Sequence, residues 1–409
     1  MKYVIIGNSA AAIGCVEAIR KNDTKGSITI ISSEKYHTYS RPLISYLLWG
    51  KTTLENMKYR DNDFYEKNNC NCIFKTDAVK ILKEEKIVIL SNGDKISYDK
   101  LLIATGSRPL VPPIKGLESV SKKFTFMTLD DAKSLEKELE EDKKVLIMGA
   151  GLIGLKCMEG IKHLVKEITV VDMADRILPS ILEKNGSEMV QSYLENQGVK
   201  FILSDSVEKF EGNTAILKSG KKIDFDILIV AVGVRPNVDL AEDIGAKTEK
   251  GIVINDKCQT TVKDVFAAGD CTVSYDISSD SNKILALLPN AYMQGECAGN
   301  NMSGNDFIFD KAIPMNAIGL LGLHIITAGS YEGKAHIKQT ENNLKILYTK
   351  DNLLKGYMVI GDIKRAGIYT SLIRERTPLD TVDFDLIFES PQLMAFSSSE
   401  RAKKLAGAK

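Results

Sequence analysis

The amino-acid sequence predicts an α/β chain: two doubly wound parallel sheets with helices on both faces, and a third, α+β unit at the end. Three observations predict it. The run "GNSAAAIGCVEAI", starting at Gly7, aligns with "GAGLIGLKCMEGI", starting at Gly149, and each follows an apolar strand, "YVII" or "VLIM". Each run leads through a helix-like stretch into a second apolar strand, "ITIIS" at 28–32 and "ITVVD" at 168–172. Further along, "DKLLIATGSRP" (99–109) matches "DILIVAVGVRP" (226–236). Self-similarity over so many elements marks a duplicated unit. Because each copy is a strand, a glycine turn, a helix and a second strand, the duplication gives two Rossmann-like nucleotide-binding domains.

The turns show what each copy can hold. A phosphate-cradling turn needs Gly first for the bend and a small second residue so that the backbone can approach a pyrophosphate. A small third residue lets helix and strand pack, and the phosphates rest on the helix N-terminus. The second copy is complete, with Gly149, Gly151 and Gly154, and Leu152 and Ile153 begin its helix. The first is degenerate, Gly7, Ser9 and Ala12 with Ala10 between them, but both replacements are small. An acid at the end of the second strand binds ribose hydroxyls. Asp172 stands 172 − 149 = 23 residues past the start of its turn, close to the expected ~20. Its carboxylate would repel a 2′-phosphate, which predicts NADH rather than NADPH. In the first copy the matching acid is Glu34, followed by Lys35, with Ser33 in the alternative register.

Composition narrows the function classes. With 54 basic and 54 acidic residues in 409, the chain has no general attraction for nucleic acid or anionic membrane. A content of 44% hydrophobic and 26% charged residues fits a globular protein. No apolar run approaches the ~20 residues of a membrane span. The N-terminus enters a strand at once, which predicts no signal peptide and a cytoplasmic location. Seven scattered cysteines and four histidines, with no C-x-x-C, argue against a metal site or a cysteine-ligated cluster.

Together these motifs resemble the FAD-dependent pyridine nucleotide–disulfide oxidoreductases, in particular their rubredoxin-reductase-like and ferredoxin-reductase-like branch, over essentially the whole chain. The most specific element is "VFAAGDC", Val265 to Cys271. The resemblance implies that Asp270, after Gly269, bonds the ribitol of FAD. It also implies that Arg41 and Pro42 of "YSRPLIS" line the FAD and that Gln294 of "PNAYMQGECAGNNMSG" lies on a helix facing the flavin. "IATGSRP", with Ala104, Thr105, Gly106 and Arg108, would touch the FAD phosphates, and Ala231, Val232 and Gly233 would be its counterpart in the second copy. The first copy would then hold FAD and the second NADH. Since "AAGDC" lies beyond the second copy, the NAD domain (about 114–239) would be inserted into the FAD domain (about 1–113 and 240–310). An interface domain would follow at 311–409, and a homodimer or a place in a larger redox complex is possible.

Two redox nucleotides imply hydride transfer from NADH to FAD, and the open choice is the acceptor. Thiol-using relatives carry a cysteine on the helix after the first ribose acid, yet residues 35–69 contain none. Cys15 and its repeat Cys157 fit core filling, and Cys70, Cys72 and Cys271 give little sign of redox work. That favours a rubredoxin, a ferredoxin or an iron–sulfur subunit, which Lys364, Arg365, Arg374 and Arg376 could dock. The alternatives are an NADH oxidase at a bare flavin and an NADH-responsive flavoprotein with mainly a binding role. The candidate catalytic residues are Lys156 and Tyr46. The resemblance implies a Glu at position 156, paired with a Lys from the stretch after "RP" beside the flavin. Here both members differ, so Lys156 either brings a cation from the opposite side or points to solvent.

Overall fold

The computed structural model describes residues 1–406, so the last three residues of the expected 311–409 unit lie outside it. The chain forms two compact units: 1–274 with 288–309, and 275–287 with 310 onward.

The first unit contains two five-stranded sheets. One runs in the order 265–267, 100–103, Lys2–Ile6, Ser27–Ile31 and 70–73, all parallel. The other runs 200–202, Glu167–Val171, Lys144–Met148, 227–230 and 123–124, again all parallel. Near-continuous Val, Ile and Leu suit strands buried on both faces, and Val4, Ile5, Leu146 and Ile147 are at most 1% exposed. The second sheet is drawn wholly from residues 123–230, whereas the first closes on strand 265–267, later in sequence. Each copy also carries a three-stranded antiparallel meander, 78–97 and 207–224. The repeated "SRP" and "VRP" segments pair with each other, placing Arg108 opposite Arg235.

The helix Ala10–Asn22 is covered by the helix Leu288–Met302, and glycines let the two backbones meet. A methyl group on Gly295 would stand 1.9 Å from the Ala11 carbonyl oxygen, and one on Gly14 would stand 2.3 Å from that of Tyr292.

The second unit is an antiparallel sheet in the order 315–320, 323–329, 353–360, 344–350 and 334–339. Helices Gly367–Arg374 and Phe384–Glu389 accompany it, and Tyr357, Tyr369 and Leu372 lie in its core. Segment 275–287, which the sequence division put in 240–310, belongs to this unit. Ile277 is part of its core and donates its N–H to the Ala312 carbonyl at 3.1 Å.

Candidate active site

The first turn needs its glycine. Gly7 has φ +119°, and a Cβ there would lie 2.1 Å from the Ala104 carbonyl oxygen. Ser9 precedes the following helix in extended conformation with no capping bond from its side chain, and Ala10 and Ala12 are buried beyond it. An open cleft of ≈ 250 Å³ is lined by Asn8, Ser9, Ser32, Glu34, Tyr36, His37, Tyr39 and Arg41. In it, the Glu34 carboxylate accepts from the Tyr39 hydroxyl at 2.7 Å and pairs with the Arg41 guanidinium. Tyr39 in turn accepts from the Leu129 amide at 3.0 Å. Asp270 faces Arg41, and burial raises its carboxyl above the ordinary range while Arg41 pulls it down. Gly269 (φ +85°) donates its N–H to Gln294 at 2.7 Å, so Gln294 works by propping the "AAGDC" loop. A backbone cradle, an acid at the end of the second strand and a half-buried carboxyl given no hydrogen-bond donor among the described residues fit an extended dinucleotide such as FAD.

The second turn repeats the bend. Gly149 has φ +111°, and a Cβ there would lie 2.2 Å from the Ala231 carbonyl oxygen; one on Gly154 would lie 2.1 Å from that of Gly149. Gly151 meets nothing within 4 Å. Asp172 is fixed to this turn, accepting from the Ala150 amide at 2.6 Å and the Ala174 amide at 2.8 Å. Leu152 and Ile153 are half-buried at the helix start, Ala231 is buried, Val232 is exposed and Gly233 turns with φ +128°.

The two copies meet at Lys156. Its helix, Leu152–Ile161, packs on the short helix Ile44–Leu48, where a Cβ on Gly160 would lie 2.8 Å from the Ser45 carbonyl oxygen. Lys156 does not point to solvent: its side chain is 16% exposed, and Nζ sits 4.3 Å from the Tyr46 ring centroid. It also pairs with Glu159, one turn along and only 2% exposed. Burial first, and then the negative Glu159, raise the Tyr46 phenol above its usual value.

Several other expected residues sit away from the cleft. Arg108 bonds the Asn237 side chain and Asp239, each at 2.8 Å, on an exposed edge. Thr105 donates to the Asn237 carbonyl at 2.7 Å, next to Gly106 with φ +65°. Lys35 is exposed, 3.9 Å from Asp130, and Pro42 is the middle residue of a short 3-10 turn at Arg41–Leu43. Lys364, Arg365, Arg374 and Arg376 do not form one basic face. Arg374 is drawn inward and its guanidinium is shifted down by burial, while Arg376 pairs with Asp280 at 3.2 Å. Cys15, Cys157, Cys258, Cys271 and Cys297 are fully buried. Cys70 and Cys72 lie on a strand, where burial pushes their thiols up to about 12 and about 11. Among the described residues no His, Cys, Asp and Glu group could hold a metal ion, and no helix is long and apolar enough to cross a membrane.

Sequence reasoning missed Tyr39 and Glu159. Tyr39 carries no local signal, since its partners Glu34 and Leu129 are joined only by the fold. Glu159 does carry one: it lies three residues after Lys156, where opposite charges meet on a helix.

Residues 1–295 match the family described as pyridine nucleotide-disulphide oxidoreductase. The chain belongs to that family. It is an FAD-dependent NADH:acceptor oxidoreductase with FAD and NADH as its cofactors. It is 30% identical to the NADH-dependent phenylglyoxylate dehydrogenase subunit epsilon of Aromatoleum evansii, over 92% of each chain. It is 31% identical to an NADH oxidase of Methanocaldococcus jannaschii, over 88% of each. Among solved structures, NADH:rubredoxin oxidoreductase from Clostridium acetobutylicum superposes with TM-score 0.75 at 27% identity, over 95% of this chain and 99% of that one.

Proposed function

We propose that this chain passes electrons from NADH through FAD to a one-electron carrier, either a rubredoxin, a ferredoxin or an iron–sulfur subunit. The observation that carries the reading is the Ile44–Leu48 helix, which reaches the second nucleotide unit with Tyr46 and no thiol. Every cysteine is either in a core or on the Cys70–Ile73 strand. Disulfide exchange therefore has no nucleophile at this junction, and what remains is an acceptor of electrons alone. The rubredoxin oxidoreductase likeness and the subunit likeness both support a protein acceptor.

Within this reading the chain's residues position and exclude. Gly7, Ser9 and the helix N-terminus hold the FAD pyrophosphate, Glu34 its ribose and Asp270 its ribitol. Gly149, Gly151 and Asp172 hold NADH. When bound, FAD supplies the conversion of a two-electron hydride into single electrons. Lys156 and Tyr46 sit where the two units touch, which is where nicotinamide and flavin would meet.

A second reading rests on the Methanocaldococcus relative named as an NADH oxidase. One comparison separates the two. With NADH in excess, anaerobic reduction of added rubredoxin or ferredoxin should far outpace aerobic oxygen consumption. Oxygen consumption as fast as carrier reduction would overturn the proposal in favour of the oxidase.

A further inference from the structure

The pairing of Lys156 with Glu159 changes what Lys156 can do. The repeat supplies an internal control. In the alignment, Gly14 stands where Lys156 is and Glu17 where Glu159 is. In the first copy the helix Leu288–Met302 leaves no room for a side chain at Gly14, and Glu17 is taken by Arg60 at 2.6 Å and the Tyr292 hydroxyl at 2.5 Å. In the second copy the same two positions hold a lysine and an acid that bond each other against Tyr46.

A carboxylate only 2% exposed must be compensated, and Lys156 compensates it. The close approach of Gly160 to the Ser45 backbone fixes the two helices together, so the pair and the Tyr46 ring stay in register. The ring on one side and Glu159 on the other bracket the ammonium. A lone cation would act on a neighbouring redox group through its full charge, whereas a contact ion pair acts as a dipole whose field falls off faster with distance.

We infer that Glu159 is a positioning residue that holds Lys156 on Tyr46 and masks its charge, so that the flavin faces a neutral pair rather than a cation. The inference rests on the reading that Lys156 and Tyr46 lie beside the flavin, and its consequence is thermodynamic. Removing the acid unmasks the cation, which stabilises the more negative, reduced flavin.

The test is the flavin midpoint potential, measured by anaerobic titration against dyes for three full-length holoproteins, each checked for full FAD content. Glu159→Gln should shift the potential upward, Lys156→Met should shift it downward, and the double variant should return close to the unmodified value. Simple loosening of the helix would move both single variants in one direction and would not be cancelled by combining them. A downward shift for Lys156→Met together with no shift for Glu159→Gln would overturn the masking role. If neither single variant moved the potential, the placement of Lys156 beside the flavin would itself fall. Should Glu159→Gln lose FAD, Glu159→Asp, which keeps the charge on a shorter arm, should retain it and shift the potential upward by less.

Discussion

The two nucleotide units share one construction and differ in what covers it. Both bend at a glycine with φ above +110° and within about 2 Å of a facing carbonyl for an added Cβ, 2.1 Å at Gly7 and 2.2 Å at Gly149. Both bury a cysteine eight residues on (15 − 7 and 157 − 149), Cys15 and Cys157. Yet the first helix lies under another helix along its length, with Gly14, Gly295 and Gly299 in backbone contact. The second is touched chiefly near its end, at Gly160, and its turn at Gly151 is open. The acids at the strand ends differ as well: Glu34 is held by side chains, Arg41 and Tyr39, and Asp172 by the backbone amides of Ala150 and Ala174. A turn whose helix is clamped by a second helix suits a cofactor that stays, and a turn left free suits a nucleotide that must leave each cycle.

The comparison can be broken most sharply at its glycines. Gly295→Val would drive a side chain into the Ala11 backbone and should cost about 3 kcal/mol or more. A clear fall in Tm and loss of flavin on gel filtration would show it. Gly151→Val, in open space, should leave Tm and flavin content unchanged and weaken only NADH; equal damage from both variants would erase the difference between the units.

Next comes nucleotide choice. The unmodified protein should reduce its flavin about 30 to 1000 times faster with NADH than with NADPH, corresponding to 2–4 kcal/mol. Asp172→Ser should shrink that ratio to about tenfold or less, because the charge opposing the 2′-phosphate is gone. Rapid-mixing reduction rates measure both. Glu34→Gln is the matching change in the first unit and should raise the FAD dissociation constant about tenfold, near 1.4 kcal/mol, with the NADH/NADPH ratio unaltered. Reconstitution of the apoprotein followed by flavin fluorescence reads it.

The smallest effect concerns thiols. Burial keeps Cys70 and Cys72 protonated up to about 12 and about 11, so at neutral pH they carry almost no thiolate. Alkylation of the folded protein should therefore rise steadily with pH through 9 with no plateau, as expected of groups titrating above ~10. NADH-to-dye electron transfer should survive the treatment. A rate that levels off near neutrality would expose a low-pKa thiol and with it a disulfide chemistry.

Much of this was readable in the sequence because it is written locally. The glycine turns, the apolar strands and the acids Glu34 and Asp172 follow one another within a few dozen residues, and the duplication checks each against its copy. What could not be read depends on distant chain meeting. Tyr46 and Lys156 are 110 residues apart, so their contact is invisible until two helices dock. Arg108 looked like a phosphate ligand, but Asp239, placed beside it by strand pairing, draws it to the edge. Gln294 is expected on a helix facing the flavin, and that its carbonyl accepts from the Gly269 amide could not be read from the sequence. Arg374 looked like part of a basic docking face, but amphipathic packing turned it inward.

The short ribbon of Ser107–Pro109 against Val234–Pro236 has one more consequence. The Leu110 amide donates to the Gly233 carbonyl at 2.9 Å, so the chain leaves for the second sheet and returns from it at neighbouring points. Entry and exit that close predict that residues 111–232 can be exchanged as a cassette, because a two-residue Asn-Gly turn is enough to join antiparallel strands. A chain shortened in this way should still bind FAD while losing NADH, and absorbance of the purified product would show whether it does. The same junction would accept a cassette reading a different nucleotide, so coenzyme choice could be changed by transplantation, provided the incoming chain keeps the backbone groups of Met127 and Leu129 that bond Arg41 and Tyr39.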